Sequence, residues 1–499
     1  MTSDQLPNII LVVMDTAGAR RCSVYGHTRE TTPGLAHIAR EGTLYHSCFA
    51  TSPWTIPSHL SLFSGLYPSE LGLEDKATQV PEVFYTLPEL LQQMGYHTVG
   101  ISCNGLVGHQ RGFDVFYEMD THFFSEGYHK DKFNTKFIKQ ATDRELGRLW
   151  HFLKYIFEKK RFLFPIQNVL ERLYKKHCVD LYHKTSGATE RTFKLSKYLM
   201  KKYQGKKPLF LFLNLMETHW KYNPPLSYQN IINISKQERE KLYQYDHQDF
   251  YIQALPPELM DKIYLLYEQG LYFLDEKLFD FYRFLEAQRV RDNSLLVITS
   301  DHGEALGEHG LWGHIFGLYN EILQIPLVVK YPAGLATPGE SRRLAQLNDL
   351  FATILEVLEA PFPLPESSRS LLSADREYAF AEHYQNIGLQ AIHKQVPDYQ
   401  PRPFMHPCRC VIDGDFFKLI EWADGRLELY DLNRDFEENR NLSGVPDLAP
   451  RAEGAETGHG GKIGAFWRKC LRFGESSADG KVNSERLKGD CHGFAVPGR

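Results

Sequence analysis

The chain has 499 residues, of which 42% are hydrophobic, and its formal charge is 57 − 62 = −5 at pH 7. This length fits one large α/β domain with a smaller partner, and this charge gives no sign of a general nucleic-acid binder. The eight cysteines follow no zinc-ribbon or disulfide spacing. No apolar run approaches the ~20 residues of a membrane span, and the first run is too short for a signal peptide. We therefore expect a cytoplasmic protein with no integral membrane segment and no nucleic-acid partner.

The first elements alternate between strands and helices. Ile9–Met14 is a continuous apolar run, which is typical of a strand buried on both faces. Residues 86–94 predict a helix that Gly95 ends, and His97–Ser102 predicts the next strand. This alternation indicates a parallel sheet with helices on both faces. Three further apolar runs predict central strands: Pro208–Leu215, Ser294–Ser300 and Ile325–Lys330.

Two predicted strands end in residues that can bind a metal ion. Asp15 follows the first strand, and Asp301-His302-Gly303 follows a later one. Thr55 lies two residues before Pro57, where we expect it to cap the amino terminus of a helix. Because the carboxyl ends of parallel strands meet at one edge of a sheet, this layout is that of a metal-assisted ester hydrolase.

The pattern changes twice along the rest of the chain. Residues 130–205 predict a helical insertion, whose segment 146–178 is amphipathic, aromatic and basic. That segment is either a solvated hairpin that packs on the core or a lid or membrane-surface helix that recruits an anionic or lipidic substrate. After residue 378 short strands predict a small antiparallel sheet, with one hairpin around Asp413-Gly414. The predicted domains are therefore 1–375, a catalytic α/β domain, and 376–448, followed by an irregular or disordered tail at 449–499.

These motifs resemble the sulfatase family of the alkaline-phosphatase superfamily. The family signature reads Cys or Ser, any residue, Pro-Ser-Arg and then a Leu- and Ser-rich helix, and this chain has Thr55-Ile-Pro-Ser-His59 followed by Leu60–Gly65. The resemblance continues, in the family's order, through Gly95–Thr98, Gly112–Asp114, Asn214–His219, Asp301–Gly303, His309–His314, Tyr319 with Glu321, Leu429–Leu432 and Asn441-Leu442. It implies an alkaline-phosphatase-like sandwich, in which helices flank a mostly parallel sheet, plus a small C-terminal antiparallel sheet.

The resemblance also implies a set of metal ligands. They are Asp15, Thr55, Asp301 and His302. Thr16 stands where the family has a second Asp, and His302 stands where it commonly has Asn. An imidazole ligand shifts the preference from Ca²⁺ toward Mn²⁺ or Zn²⁺, with Ca²⁺ as the alternative.

Further residues take family positions in the anion site. Thr55 replaces the Cys or Ser from which sulfatases form formylglycine, so its own hydroxyl is the expected nucleophile. His219 corresponds to the family residue that contacts the ester or protonates the leaving group, and His314 stands where the family has Lys. His59 replaces the signature Arg as a pH-sensitive contact to the anion, and Asn104 lies in the segment where the family has another Lys.

The expected function is metal-dependent hydrolysis of a sulfate ester, phosphate diester or phosphonate monoester. The substrate is an anionic ester of a small molecule, a glycan or a lipid-linked group. One alternative is a phosphoethanolamine- or phosphoglycerol-type transferase that acts through phospho-threonine, and another is a relative that binds anions without catalysis. A second metal ion, held by Glu217 with His219 and His314, is a further alternative.

Overall fold

The computed structural model describes residues 6–72, 79–107, 111–119, 187–229, 233–242, 244–245, 248–253, 255–384 and 387–445. Its central sheet has eight strands in the order β10-β2-β9-β6-β1-β5-β3-β4. Their bounds are β1 Asn8–Met14, β2 Thr43–Phe49, β3 His97–Ser102, β4 Val115–Glu118, β5 Leu209–Leu215, β6 Ser294–Thr299, β9 Leu327–Lys330 and β10 Gly339–Gln346. Two short strands, β7 Ala305–Leu306 and β8 Trp312–Gly313, pair with each other. The prediction of a mostly parallel central sheet is confirmed.

The first predicted strand lies inside this sheet. β1 pairs in parallel with β5 on one side and with β6 on the other. Its alternate residues Ile9 and Leu11 enter one core cluster, and Ile10 and Val12 enter the cluster on the opposite face. The continuous apolar run is therefore a consequence of burial on both faces. The predicted strand near residue 325 is β9, which runs antiparallel to both β2 and β6.

Helices cover both faces of the sheet. Their bounds are α1 Pro33–Arg40, α2 Thr55–Ser64, α3 Leu87–Gln93, α4 Ala188–Tyr203, α5 Leu226–Gln229, α6 Lys236–Leu242, α7 Asp249–Ile252, α8 Pro257–Ala287, α9 Asn320–Leu323, α10 Asp349–Val357 and α11 Ile387–Gln395. Leu60 and Phe63 of α2 lie in one core cluster, whereas Leu274 and Phe281 of α8 lie in the other. The helix predicted at residues 86–94 is α3, which Thr86 caps with its side chain.

The helix that carries Thr55 begins earlier than its sequence predicts. Thr55 is the first residue of α2, and Trp54 is the N-cap, with extended φ and ψ angles of −150° and 164°. The prediction that Thr55 caps a helix starting at Pro57 is therefore wrong, because a proline is accepted within the first turn of a helix. Gly65 ends α2 with φ of 74°, and a Cβ there would lie 2.8 Å from Pro365. Thr55 thus lies in the first turn of a helix whose side chains are mostly buried.

Parts of the predicted insertion and tail can be compared with the structure. α4 covers residues 188–203 of the predicted insertion, yet it packs on β5 and on α8 as part of the main α/β layers. The basic segment 146–178 and the tail 449–499 lie outside the described residues. Within the described ranges, no helix combines the length and the apolar character that crossing a membrane requires.

A four-stranded antiparallel sheet follows, in the order β11-β12-β13-β14. Its bounds are β11 Tyr378–His383, β12 Cys408–Asp413, β13 Phe417–Trp422 and β14 Leu427–Asp431. The predicted hairpin is the pair β12 and β13, so the prediction of a small C-terminal antiparallel sheet is also confirmed.

A buried ion pair joins this small sheet to the main domain. Lys418 on β13 lies 2.7 Å from Glu438, and both side chains are 0% exposed. The same Lys418 donates to the amide oxygen of Asn320 at 3.0 Å, and the backbone N–H of Asn320 donates to Glu438 at 2.6 Å. Asn320 begins α9, so this ion pair fixes the position of α9 against the small sheet.

We expect Lys418→Met to lower the free energy of unfolding by roughly 3–5 kcal/mol, because Glu438 would remain buried without its cation. Chemical denaturation measures this loss. The double variant Lys418→Met with Glu438→Gln should recover a large part of it. Arg434→Met is the control, since Arg434 is 88% exposed where it pairs with Asp431. Equal losses in the single variant and the control would contradict the prediction.

Candidate functional site

Three of the four predicted metal ligands meet at the carboxyl edge of the central sheet. Asp15 directly follows β1, and Asp301 and His302 follow β6 after one residue. One ligand atom from each of these three residues lies within 4.8 Å of the others, and all three side chains are buried. No other group of His, Cys, Asp and Glu within the described residues meets this distance. The juxtaposition arises because β1 and β6 are parallel neighbours.

In each carboxylate of this cluster, one oxygen accepts hydrogen bonds and the other has no hydrogen-bond partner among the described residues. Asp15 Oδ2 accepts hydrogen bonds from Asn104 at 2.9 Å and from Asn214 at 3.2 Å. Asp301 Oδ1 accepts from the N–H groups of Thr16 at 3.2 Å and of His302 at 3.0 Å. The remaining oxygens, Asp15 Oδ1 and Asp301 Oδ2, are buried without a hydrogen-bond partner among the described residues. Buried oxygens of this kind suit a bound cation.

The ring of His302 completes the cluster. Its Nδ1 lies 2.9 Å from the carbonyl oxygen of Gly303, so the neutral ring donates from Nδ1 and carries its lone pair on Nε2. That Nε2 lies 3.3 Å from Asp301 Oδ2. A lone pair facing a carboxylate is repulsive unless a cation lies between them. The donor set of two carboxylates and one imidazole therefore fits a divalent metal ion.

Glycine at position 303 follows from a close backbone contact. A Cβ at Gly303 would lie 2.2 Å from the carbonyl oxygen of Glu321, and the N–H of Gly303 donates to Ile322 at 2.6 Å. Any side chain at this position would push the loop away from α9. Gly303 therefore fixes the carbonyl that orients His302.

Thr16, at the position of the second family Asp, uses its hydroxyl in a contact with the backbone. It has φ of 63°, and its hydroxyl donates to the carbonyl oxygen of Thr218. The hydroxyl of Thr218 donates in return to the carbonyl oxygen of Asp15 at 2.6 Å. Thr16 thus holds the turn after β1 to the loop after β5, with its hydroxyl committed to that contact.

Thr55 lies beside the cluster, as predicted for a nucleophile. Its Oγ1 is 3.4 Å from His302 Nε2, and the side chain is 2% exposed. One turn later, His59 Nδ1 donates to the carbonyl oxygen of Thr55 at 2.9 Å and lies 3.5 Å from Asp301 Oδ2. Burial lowers the pKa of His59 to about 4. The ring of His59 is therefore neutral near pH 7, and its contact with an anionic substrate stays a prediction.

The two predicted acid–base histidines lie next to each other. The ring of His314 lies 4.5 Å from that of His302 and 5.1 Å from that of His219. His314 Nδ1 donates to Glu304 at 2.6 Å, and Tyr222 donates to the other oxygen of Glu304 at 2.6 Å. Burial, followed by the two neighbouring histidines, lowers the pKa of His314 well below its usual value. In the metal-free chain His314 is thus neutral, unlike the Lys whose place it takes.

Two further residues, Asn104 and Glu217, were also predicted to contribute to the site. Asn104 donates to Asp15 and orients it, and its predicted contact with substrate stays a prediction. Glu217, the predicted third member of a second metal site, has its carboxylate 3.6 Å from where a Cβ of Gly187 would lie. Within the described residues it joins no cluster of metal-ligand atoms with His219 and His314. The second-ion alternative therefore gains no support from the described residues.

The sequence analysis assigned no role to three residues of the site. Asn214, at the end of β5, orients Asp15. Glu304 and Tyr222 orient His314. Glu304 directly follows the Asp-His-Gly motif, so its position gave a signal for a role in the site. Tyr222 gave none, because only the tertiary fold brings residue 222 beside residue 304.

Two family models match this chain. A family model described as Sulfatase matches residues 7–360, and one described as N-sulphoglucosamine sulphohydrolase, C-terminal, matches residues 307–453. An N-acetylglucosamine-6-O-sulfatase of Bacteroides thetaiotaomicron is 23% identical over 89% of this chain and 84% of its own length.

Two solved structures resemble the fold. The protein BT4656, in complex with its substrate D-glucosamine-2-N,6-O-disulfate, has a TM-score of 0.65 and 19% identity over 96% of this chain and 100% of its own. The phosphonate monoester hydrolase of Agrobacterium radiobacter has a TM-score of 0.62 and 18% identity over 94% of this chain and 95% of its own.

We expect Asp301→Asn to abolish the increase in melting temperature that Mn²⁺ or Zn²⁺ gives to the metal-depleted protein, because one anionic ligand is lost. Without metal the variant should be at least as stable as the original chain, since two buried carboxylates no longer repel each other. Calorimetry with and without metal measures both effects. Asp375→Asn, at a carboxylate that is 79% exposed, is the control. An unchanged metal response in the Asp301 variant would show that the ion binds elsewhere.

Proposed function

This chain belongs to the sulfatase family, and we propose that Thr55 is its nucleophile and that it hydrolyses monoanionic esters with a divalent ion held by Asp15, Asp301, His302 and Thr55 itself. It is a hydrolase of ester bonds. The observation that carries the proposal is the place of the Thr55 hydroxyl, 3.4 Å from His302 Nε2 and beside two buried carboxylate oxygens without partners.

The donor set favours Mn²⁺ or Zn²⁺ over Ca²⁺, because one ligand is an imidazole. When bound, the ion supplies positive charge that lowers the pKa of a hydroxyl beside it and stabilises charge on the ester oxygens. The nucleophilic attack and the proton transfers are carried out by side chains of the protein.

The reaction would proceed in two steps. In the first, Thr55 Oγ1 forms a bond to the sulfur or phosphorus of the ester, and the bond to the leaving oxygen breaks. The hydroxyl proton of Thr55 would pass through the neutral histidine pair His219 and His314 to the leaving oxygen. Glu304 holds His314 in the tautomer with Nδ1–H and thereby fixes which nitrogen faces the site. In the second step the oxygen of water bonds to the sulfur or phosphorus, the bond to Thr55 Oγ1 breaks, and a proton of the water passes to Thr55 Oγ1.

The charge of the site supports one class of substrate. Among the site residues that the structure describes, none is a lysine or arginine, and His59 and His314 are neutral near pH 7. A sulfate ester, a phosphate diester and a phosphonate monoester each carry one negative charge, whereas a phosphate monoester carries nearly two. A site without permanent cations binds the second charge poorly. The proposed substrates are therefore the monoanionic esters, of a small molecule or glycan.

The transferase alternative shares the first step and differs only in the acceptor of the second. The basic segment 146–178 was the reason to consider a transferase, and this segment lies outside the described residues. Product analysis in the presence of alcohols distinguishes transfer from hydrolysis.

We expect Thr55→Ala to lower kcat at least about a thousandfold on the best of a panel of aryl phosphate diesters, phosphonate monoesters and aryl sulfates, because the nucleophile is removed. Assays with Mn²⁺, Zn²⁺ and Ca²⁺ measure this. Thr55→Ser should retain activity, since it keeps the hydroxyl. Thr51→Ala is the matched control: Thr51 is equally buried in the preceding loop. Full turnover by Thr55→Ala would refute the nucleophile assignment.

We expect His314→Lys to raise kcat/KM for an aryl phosphate monoester relative to an aryl phosphate diester by roughly tenfold, because it adds a cation at the ester oxygens. Metal content, measured by mass spectrometry, should stay unchanged. His406→Lys, at a ring that is 39% exposed, serves as the control. A fall in metal content would instead identify His314 as a ligand and the site as binuclear.

A further inference from the structure

The exposed face of α4 and the loop that follows it concentrates positive charge. Residues 187–207 contain six lysines and Arg191 against Glu190 alone, which gives 7 − 1 = +6 in a chain whose total is −5. The six are Lys194, Lys197, Lys201, Lys202, Lys206 and Lys207, and all but the half-buried Lys197 are exposed. We call this set the α4 lysine face.

The lysines of this face keep their charge uncompensated. Among the described residues, no carboxylate forms an ion pair with any of the six. Three of them lie instead over an aromatic ring: the Nζ atoms of Lys197 and Lys201 are 5.8 and 5.5 Å from the centre of Phe284 on α8, and that of Lys202 is 5.1 Å from the centre of Tyr203. A ring face attracts the ammonium groups without cancelling their charge. The face is therefore arranged to present positive charge to an external anion.

The direction of α4 connects this face to the catalytic edge. α4 begins beside the carboxylate of Glu217, two residues before His219. It ends near the opposite edge of the sheet, where the ring of Tyr203 lies 4.3 Å from that of His97, the first residue of β3. The helix thus runs from the active site toward the far edge.

Three of the lysines form a line along this direction. Lys194, Lys197 and Lys201 are spaced by three and then four residues, which places them on one stripe of a helix. At 1.5 Å per residue the stripe covers about 10 Å, with one charge every ~5 Å. This spacing suits a linear polymer that carries its anionic groups at similar intervals.

We propose that the α4 lysine face is a docking surface for a linear, sulfated or otherwise polyanionic polysaccharide whose end enters the catalytic site. The inference rests on the proposed function and names a polymeric substrate for the same site. A lipid bilayer fits the face less well, because the apolar side chains of α4, among them Phe193, Leu199 and Met200, are buried in the core. An interfacial helix needs such side chains for insertion.

The test uses a polymer of known charge rather than an unidentified substrate. Dextran sulfate and neutral dextran are titrated into the full-length Thr55→Ala chain at low and at high salt. The same measurement is made on the triple variant Lys194→Glu, Lys197→Glu, Lys201→Glu. The matched control carries Lys236→Glu, Lys241→Glu and Lys394→Glu, three exposed lysines on other helices with the same total change in charge. Circular dichroism confirms that each variant is folded.

We expect the α4 triple variant to lose affinity for dextran sulfate at least about tenfold and the control less than about threefold, with both effects weakened by salt. When the same lysine substitutions are made in the chain that keeps Thr55, neither triple variant should change kcat/KM for a small aryl ester. Equal losses in the two variants, or no binding of dextran sulfate at low salt, would overturn the proposal. So would a selective loss of binding to phosphatidylglycerol vesicles or single-stranded DNA in place of dextran sulfate. Failure of the proposed function shows separately, as full aryl ester turnover by Thr55→Ala.

Discussion

The candidate site of this enzyme depends on two carboxylates that the fold holds close together in its interior. Asp15 and Asp301 end up within 4.8 Å of each other because β1 and β6 are adjacent parallel strands. Burying two like charges costs free energy unless a cation or hydrogen bonds compensate it. Asn104, Asn214 and the N–H groups of the neighbouring turns satisfy one oxygen of each carboxylate, and the second oxygen of each is left for a cation.

The rest of the site follows from the same constraint. α2 begins at Thr55, so the first turn of this helix holds the Thr55 hydroxyl beside the carboxylates. The rings of His59 and His314 are neutral, because burial lowers the pKa of each. Positive charge in the described site would then come from the metal ion, which accounts for the proposed preference for esters with a single charge. More distant positive charge lies on α4.

The small C-terminal sheet supports the site from outside. Lys418 and Glu438 fix Asn320 at the start of α9. α9 in turn carries Glu321, whose carbonyl approaches Gly303 so closely that only glycine fits there. Through this series of contacts the small sheet sets the loop that orients His302. The two sheets therefore act together on the candidate metal site, and one face of the small sheet packs into a core cluster of the central sheet.

The sequence by itself determined the elements whose pattern is local. A continuous apolar run indicates a strand buried on both faces, and a carboxylate at its end indicates a ligand at the sheet edge. That Asp15, Asp301, His302 and Thr55 lie together was therefore predictable, as were the two sheets. Their roles as ligands and nucleophile came from the family resemblance and stay predictions. Tertiary structure alone decided which polar atoms remain without partners, that Thr16 and Asn104 serve neighbouring groups, and that Tyr222 reaches Glu304. It also decided that His59 and His314 are neutral, because the pKa of a side chain depends on burial and on neighbours that the fold brings from distant parts of the chain.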